Sequence, residues 1–203
     1  MIGVWFAGAA AAGGWTEPRP YVLPVVNLSV IAVNGETSAQ ASVGAVGGAR
    51  LKYRDPPGWL SHTRGSVVGS YGLNTGSYGA DLRAGSFIGP DTKFLQYQVG
   101  PDLWFNGFGR EDSVDYHLPW SPGIDLHNLL TLKLAKEFHL VGEVTPGFPF
   151  AGERLGGGIG PFPELTLAGM AVVRASFLHL TIGYSRQYRS FGSYDALILS
   201  GAL

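Results

Sequence analysis

The 203-residue chain contains no cysteine, which removes disulfide frameworks, cysteine-ligated metal sites and thiol catalysis together. Charge is scarce as well: Asp, Glu, Lys and Arg make up 14% of the residues, against about 25% in ordinary soluble domains. A soluble β-protein of this size would struggle to cover its surface with so few. The formal net charge of −1 provides no basic stripe for a phosphate backbone, so no nucleic-acid partner is expected. No segment longer than about ten residues repeats its apolar positions every 3.6 residues, which argues against amphipathic helices. The apolar stretch Ile2–Gly14 falls far short of the roughly 20 residues a membrane-spanning helix needs.

That stretch resembles the apolar part of a secretory signal, with Ala10-Ala11-Ala12 as a small-residue cleavage site but without the usual preceding basic segment. Residues 1–14 are therefore read as a signal-peptide remnant, or else as an apolar N-terminal segment of the mature protein, and 15–203 as one domain. Glycine is abundant, at 31 residues, roughly twice the usual share of about 7%.

From Tyr21 onward the apolar residues recur with period two, the signature of half-buried strands. Ten strands are expected, at about 21–33, 41–54, 66–74, 77–89, 93–108, 124–136, 138–148, 164–175, 177–188 and 193–203. Pro24, Pro101 and Pro146 fall inside the first, fifth and seventh, and proline belongs at sheet edges, strand starts or bulges. If the first hairpin packs elsewhere the count drops to eight. Among the connections, 109–123 and 149–163 are long and lie on one end of the array, while 89–91, 136–137 and 175–176 on the other end are short. The segment 55–65 is a long exception on the short-turn end.

Parity separates two faces. Leu82 and Ala84 oppose Asp81 and Arg83; Leu103 and Phe105 oppose Asp102; Leu126, Leu130 and Leu132 oppose His127, Thr131 and Lys133; Leu140 and Val144 oppose His139 and Glu143. The polar face mixes charges of both signs with small residues such as Gly44, Gly48, Gly79, Gly85 and Gly100. That mixture suits a narrow enclosed lumen better than a soluble exterior. Buried charges must be paired, and a lumen network is expected in which Arg50, Lys52, Arg83, Lys133 and Arg174 are compensated by Asp81, Asp102, Glu143 and Asp195.

Segments such as "SVGAVGGARLKYR" and "FLHLTIGYSRQY", and the final "SYDALILSGAL", give residues 21–203 a pattern that resembles the small bacterial outer-membrane β-barrel proteins. Such barrels commonly end in an aromatic residue, where this chain has Leu203. The resemblance implies an all-β, antiparallel up-and-down transmembrane barrel of about ten strands in the bacterial outer membrane. It implies membrane lipid as a partner, with lipopolysaccharide or other envelope proteins besides, and a structural, adhesive or narrow-pore role.

Motifs for chemistry are sparse. There is no HExxH and no GxSxG, so neither a metalloprotease helix nor a nucleophile elbow is present. "GGGIG" at 156–160 lacks the GK[ST] ending of a phosphate loop. His127, His139 and His179 fall on the polar parity without metal-ligand spacing. No metal, cofactor or catalytic residue is assigned. The alternatives are a membrane-embedded hydrolase acting on lipid A through one of these histidines, and a soluble barrel whose apolar face lines a ligand cavity. The segment "GREDSVDYHLPWSPG" gathers Glu111, Asp112, Asp115, His117 and Trp120, and is expected to form a solvated loop with the composition of a cation- or partner-binding tip.

Overall fold

A computed structural model describes residues 16–33, 35–53, 58–110, 113–150, 164–175, 178–189 and 192–202; residues 1–14 and the glycine-rich 156–160 lie outside that set. The described residues form ten strands: β1 (Arg19–Val33), β2 (Glu36–Lys52), β3 (Trp59–Gly72), β4 (Tyr78–Pro90), β5 (Leu95–Arg110), β6 (Ser113–Lys133), β7 (Phe138–Pro149), β8 (Glu164–Ala175), β9 (Leu178–Arg189) and β10 (Gly192–Ala202). Each pairs antiparallel with its neighbour in sequence, and β1 pairs with β10 from Val25↔Ala202 to Val33↔Tyr194. The result is a closed up-and-down barrel. The end where β1 begins and β10 finishes is the base; the opposite end is the rim.

Pro101 and Pro146 sit where a ladder needs no N–H from them. The β4–β5 ladder breaks between Gly85↔Asp102 and Ile88↔Val99, at Pro101. The β6–β7 ladder breaks between Asp125↔Gly147 and Asn128↔Val144, at Pro146. Proline is tolerated at such gaps because the missing donor leaves no acceptor unpaired.

Three strands start earlier than their sequence pattern suggests: β2 at Glu36, β3 at Trp59 and β6 at Ser113. The expected loop at 55–65 is strand from Trp59 onward, since Leu60, His62 and Arg64 alternate inward against Trp59, Ser61 and Thr63. The expected loop at 109–123 is largely a long β5–β6 hairpin, in which Arg110 pairs with Ser113. Pro122 fits this hairpin because β6 pairs with β7 only from Gly123 onward, leaving Pro122 on an edge.

Successive residues resolve the two faces. Leu82, Leu103, Leu126, Leu130, Leu140 and Val144 are exposed on the outside, as are Val26, Leu28, Val43, Val67, Leu167, Ile182, Leu197 and Leu199. Gln40, Ser42, Gln98, Asp102, Asn106, Asp125, His127, Thr145 and Ser185 are buried inside. The apolar parity thus faces outward, opposite to what a soluble carrier of an apolar ligand requires. Exposed aromatics flank the aliphatic belt, with Trp59 and Phe94 towards the base and Tyr71, Tyr78, Phe105, Trp120, Phe148 and Tyr184 towards the rim. Trp59 and Tyr71 are both on β3, separated by about 40 Å along the strand at ~3.4 Å per residue, or about 30 Å along the axis at a tilt near 40°.

Close curvature depends on inward-facing glycines. A Cβ on Gly100 would lie 1.9 Å from the Ser86 carbonyl oxygen, and one on Gly48 1.9 Å from that of Thr63; both are backbone atoms that cannot swing away. Gly69, on the outer face of β3, has nothing within 4 Å of the same position. Gly100→Ala is expected to lower stability by about 1–3 kcal/mol through overpacking, read as an earlier urea midpoint for loss of the compact unheated gel band, with Gly69→Ala close to wild type.

Candidate functional site

The middle of the lumen is built by the inward residues of five consecutive strands. Arg83 on β4 reaches across to three carboxylates: its Nε donates to Asp81 Oδ1 at 2.9 Å, its Nη1 donates to Asp125 Oδ2 on β6 at 3.0 Å, and Nη1 lies 3.7 Å from Asp102 Oδ2 on β5. Arg64 on β3 donates to Asp102 at 3.1 Å. His127 on β6 presents Nε2 to Asp102 at 3.1 Å and Nδ1 to Glu143 on β7 at 2.7 Å. Neutral donors complete the set. Trp104 Nε1 donates to Asp125 at 2.7 Å, Asn106 Nδ2 to Asp81 at 3.2 Å, and Thr145 Oγ1 to Glu143 at 2.8 Å.

Asp102 is fully buried, and moving an ion out of water costs several kcal/mol unless partners replace its hydration. Three cationic groups converge on it for that reason. Both nitrogens of His127 face carboxylates, so a doubly protonated imidazolium donates to each. Four carboxylates (Asp81, Asp102, Asp125 and Glu143) then meet three cations (Arg64, Arg83 and His127) in one connected cluster. Phe87, 2% exposed, closes its base side: its ring meets His127 edge-on at 5.6 Å between centroids, and the Arg64 guanidinium lies over it at 5.1 Å.

Of the expected lumen network, the structure brings together Asp81, Arg83, Asp102 and Glu143. Arg50, Lys52, Lys133 and Arg174 also point inward but gather at the base, away from those acids. There Lys52 and Lys133 share Asp91, which sits between β4 and β5, Lys52 at 3.3 Å. Asp195 is a correction: it faces outward, on the same parity as Leu197 and Leu199, and binds Tyr184 and Arg186 of β9 on the outer surface. Arg64, Asp91 and Asp125 join the network without being singled out by the sequence pattern: Arg64 follows a Pro-Pro-Gly turn signal, Asp91 falls in a turn, and Asp125 shares the parity of His127.

The expected binding tip divides. Glu111 and Asp112 lie outside the described residues, while Asp115, His117 and Trp120 are on β6 rather than in a loop. Trp120 stacks on Phe105 of β5, with centroids 6.0 Å apart.

Above the Arg83 cluster, towards the rim, lies a chamber of about 300 Å³. One wall is polar, with Asn27, Ser42 and Ser70; the other is the apolar group of Ile31, Phe108 and Ala196. The three lumen histidines do not form a common site. His127 is held between two carboxylates with no ring nitrogen left to act as a base, whereas His139 and His179 lie near Arg174, close enough to feel its charge. Among the described residues no group of three or more His, Asp or Glu is arranged to hold a metal ion.

No family model and no curated protein matches the chain. Among solved structures it is similar to Neisserial surface protein A, with 9% identity, 93% of this chain and 99% of that one covered, and a TM-score of 0.40. It is also similar to the translocator domain of the autotransporter NalP from Neisseria meningitidis, with 10% identity, 97% and 91% coverage, and a TM-score of 0.35.

Removing Arg83 leaves three carboxylates without their shared partner. Arg83→Met is expected to destabilise the barrel by about 3–5 kcal/mol in urea unfolding in detergent. Arg83→Met combined with Asp102→Asn and Asp125→Asn should recover part of that loss, because the charges left unpaired are removed with it.

Asp91 gives a pH signature. Burial opposes its ionisation, but Lys133 and Lys52 outweigh this and hold its carboxyl below the usual aspartate range. A depressed carboxyl contributes stability that is complete above the unfolded-state value, about 3.9, and is lost as pH falls through the folded-state value. The stability gap between wild type and Asp91→Asn should therefore be full at neutral pH and shrink progressively below about pH 4, as followed by urea midpoints across a pH series.

Proposed function

We propose that this chain is a bacterial outer-membrane β-barrel whose lumen is closed at mid-height by the Arg83 cluster, and that its role is structural or adhesive. The observation that carries this reading is the inversion of burial at three successive strands: Asp102, Asp125 and His127 are buried while their chain neighbours Leu103 and Leu126, and Leu82 beside Arg83, are exposed. A water-soluble fold does the opposite. A contiguous aliphatic belt with aromatic rows at both margins is the exterior that a barrel presents to lipid.

On this reading the base, whose connections run from two to six residues, faces the periplasm, and the rim, which carries the 150–163 connection and the extended β5–β6 hairpin, faces outward. Membrane lipid is the first partner. Lipopolysaccharide at the rim-side aromatic row and other envelope proteins at the rim are the further partners proposed. The β5–β6 hairpin, with its Phe105–Trp120 stack, is the element offered for adhesion.

A narrow pore is the second reading, favoured by the rim chamber and a base cavity of about 390 Å³ lying on either side of the cluster. Conductance separates the two. Fractionated cells are expected to yield the protein in the outer membrane as a heat-modifiable band. In planar bilayers the wild type should give no stable conductance, while Arg64→Ala with Arg83→Ala should produce discrete openings if it folds. Large steady conductance from the wild type would overturn the closed lumen, and recovery of the protein in the soluble fraction would overturn the membrane assignment.

A further inference from the structure

The base of the lumen holds a second side-chain cluster that the central network does not use. Its cavity, of about 390 Å³, is lined by Thr16, Arg19, Tyr21, Arg50, Lys52 and His179, with Pro20 and Leu23 beside them. The charge there has one sign. Arg19 and Arg50 are direct cross-strand partners on β1 and β2, and Arg174 and His179 are direct partners on β8 and β9. Arg50 lies close enough to repel Arg174. Like charges placed opposite one another across a ladder destabilise it, as Arg19 and Arg50 are here, and Arg174 adds a third guanidinium to the same end of the lumen.

Compensation from within the chain is small. Among the described residues, the carboxylate partner found in this group is Asp91, 3.3 Å from Lys52 and shared with Lys133. Arg50 is held over the Tyr21 ring at 5.0 Å, which fixes the guanidinium without neutralising it. The Nε of Arg174 is buried with no hydrogen-bond partner. The acids that could have served, Asp81, Asp102, Asp125 and Glu143, are engaged by Arg64, Arg83 and His127 on the far side of Phe87.

We propose that the base cavity is a binding site for a phosphate-bearing anion, held by Arg19 and Arg50, with Lys52 and Arg174 completing a positive wall and the His179 ring beside them. Guanidinium groups bind phosphate through paired, charge-assisted hydrogen bonds, and Tyr21, Pro20 and Leu23 offer an apolar surface to whatever the phosphate is attached to. The site does not depend on whether the lumen is closed, so it stands or falls separately from the conductance result.

The test uses the full chain, folded in an uncharged maltoside detergent and titrated calorimetrically with inorganic pyrophosphate at low salt. Saturable one-to-one binding that weakens as salt rises is expected. Arg50→Gln and, separately, Arg19→Gln should lower the affinity about tenfold or more, while Lys136→Gln, on an exposed base turn, should leave it unchanged. The heat-modifiable band confirms that each variant is folded, and Arg174→Gln serves in place of either that is not. Short-chain phosphatidic acid is titrated in parallel. Binding of pyrophosphate assigns a soluble phosphate compound; binding of phosphatidic acid without pyrophosphate assigns a lipid-borne phosphate. Saturable binding of neither probe, or binding that the arginine variants leave intact, would overturn the site.

Discussion

Pairing of β1 with β10 is the constraint from which the rest of the molecule follows. Once Val25–Val33 are paired with Tyr194–Ala202, each of the ten described strands has a neighbour on both sides. Closure also makes a choice for all ten strands at once. Because side chains alternate, half of each strand lines the lumen and the other half becomes the exterior. The enclosed half must then satisfy its own polar groups, and the backbone must bend tightly enough to close. The glycines at 48 and 100 answer the second demand, where a neighbouring carbonyl occupies the space of a side chain.

The first demand is met unevenly along the axis. At mid-height the carboxylates slightly outnumber the cations, yet every ion touches at least one opposite charge, so desolvation is offset locally. At the base, among the described residues, the cations outnumber the acids, and Arg19 faces Arg50 across a ladder. Such an arrangement gives the lumen a field that runs from a compensated centre to a positive mouth. Low-dielectric walls focus a field of this kind, which favours anions at the base and repels small cations from it. Phe87 marks the boundary, with the Arg64 guanidinium and the His127 ring against it.

Much of this architecture was legible in the chain as a string. Period-two alternation located ten strands, and the poverty of charge indicated which parity faces outward. What alternation cannot supply is the relation between strands. That Arg83 meets Asp102 and Asp125 depends on the shear of neighbouring strands, a property of the closed ladder and absent from any one segment. Arg64 was lost because Pro56, Pro57 and Gly58 read as a turn continuing into residues that are in fact strand. Asp195 illustrates the opposite failure: its parity with Leu197 and Leu199 placed it outside, but the demand for a lumen counter-charge drew it inward. The outer surface supplies its partners instead, Arg186 and Tyr184 near the rim.

An ion cluster is not needed merely to fill a narrow barrel. Well-packed apolar side chains of similar volume are often equal or better for stability than a buried ion network. In a barrel whose exterior is already aliphatic, however, an aliphatic lumen would leave the two parities of each strand nearly equivalent. A slip of one residue exchanges the faces of a whole strand, and with apolar residues on both sides that slip would cost little. With Arg83, Asp102 and His127 on the inner parity, the same slip on β4, β5 or β6 carries charges into the exterior belt and leaves their former partners unpaired in the lumen. The cluster therefore penalises the register slips that would exchange the two faces of β4, β5 or β6.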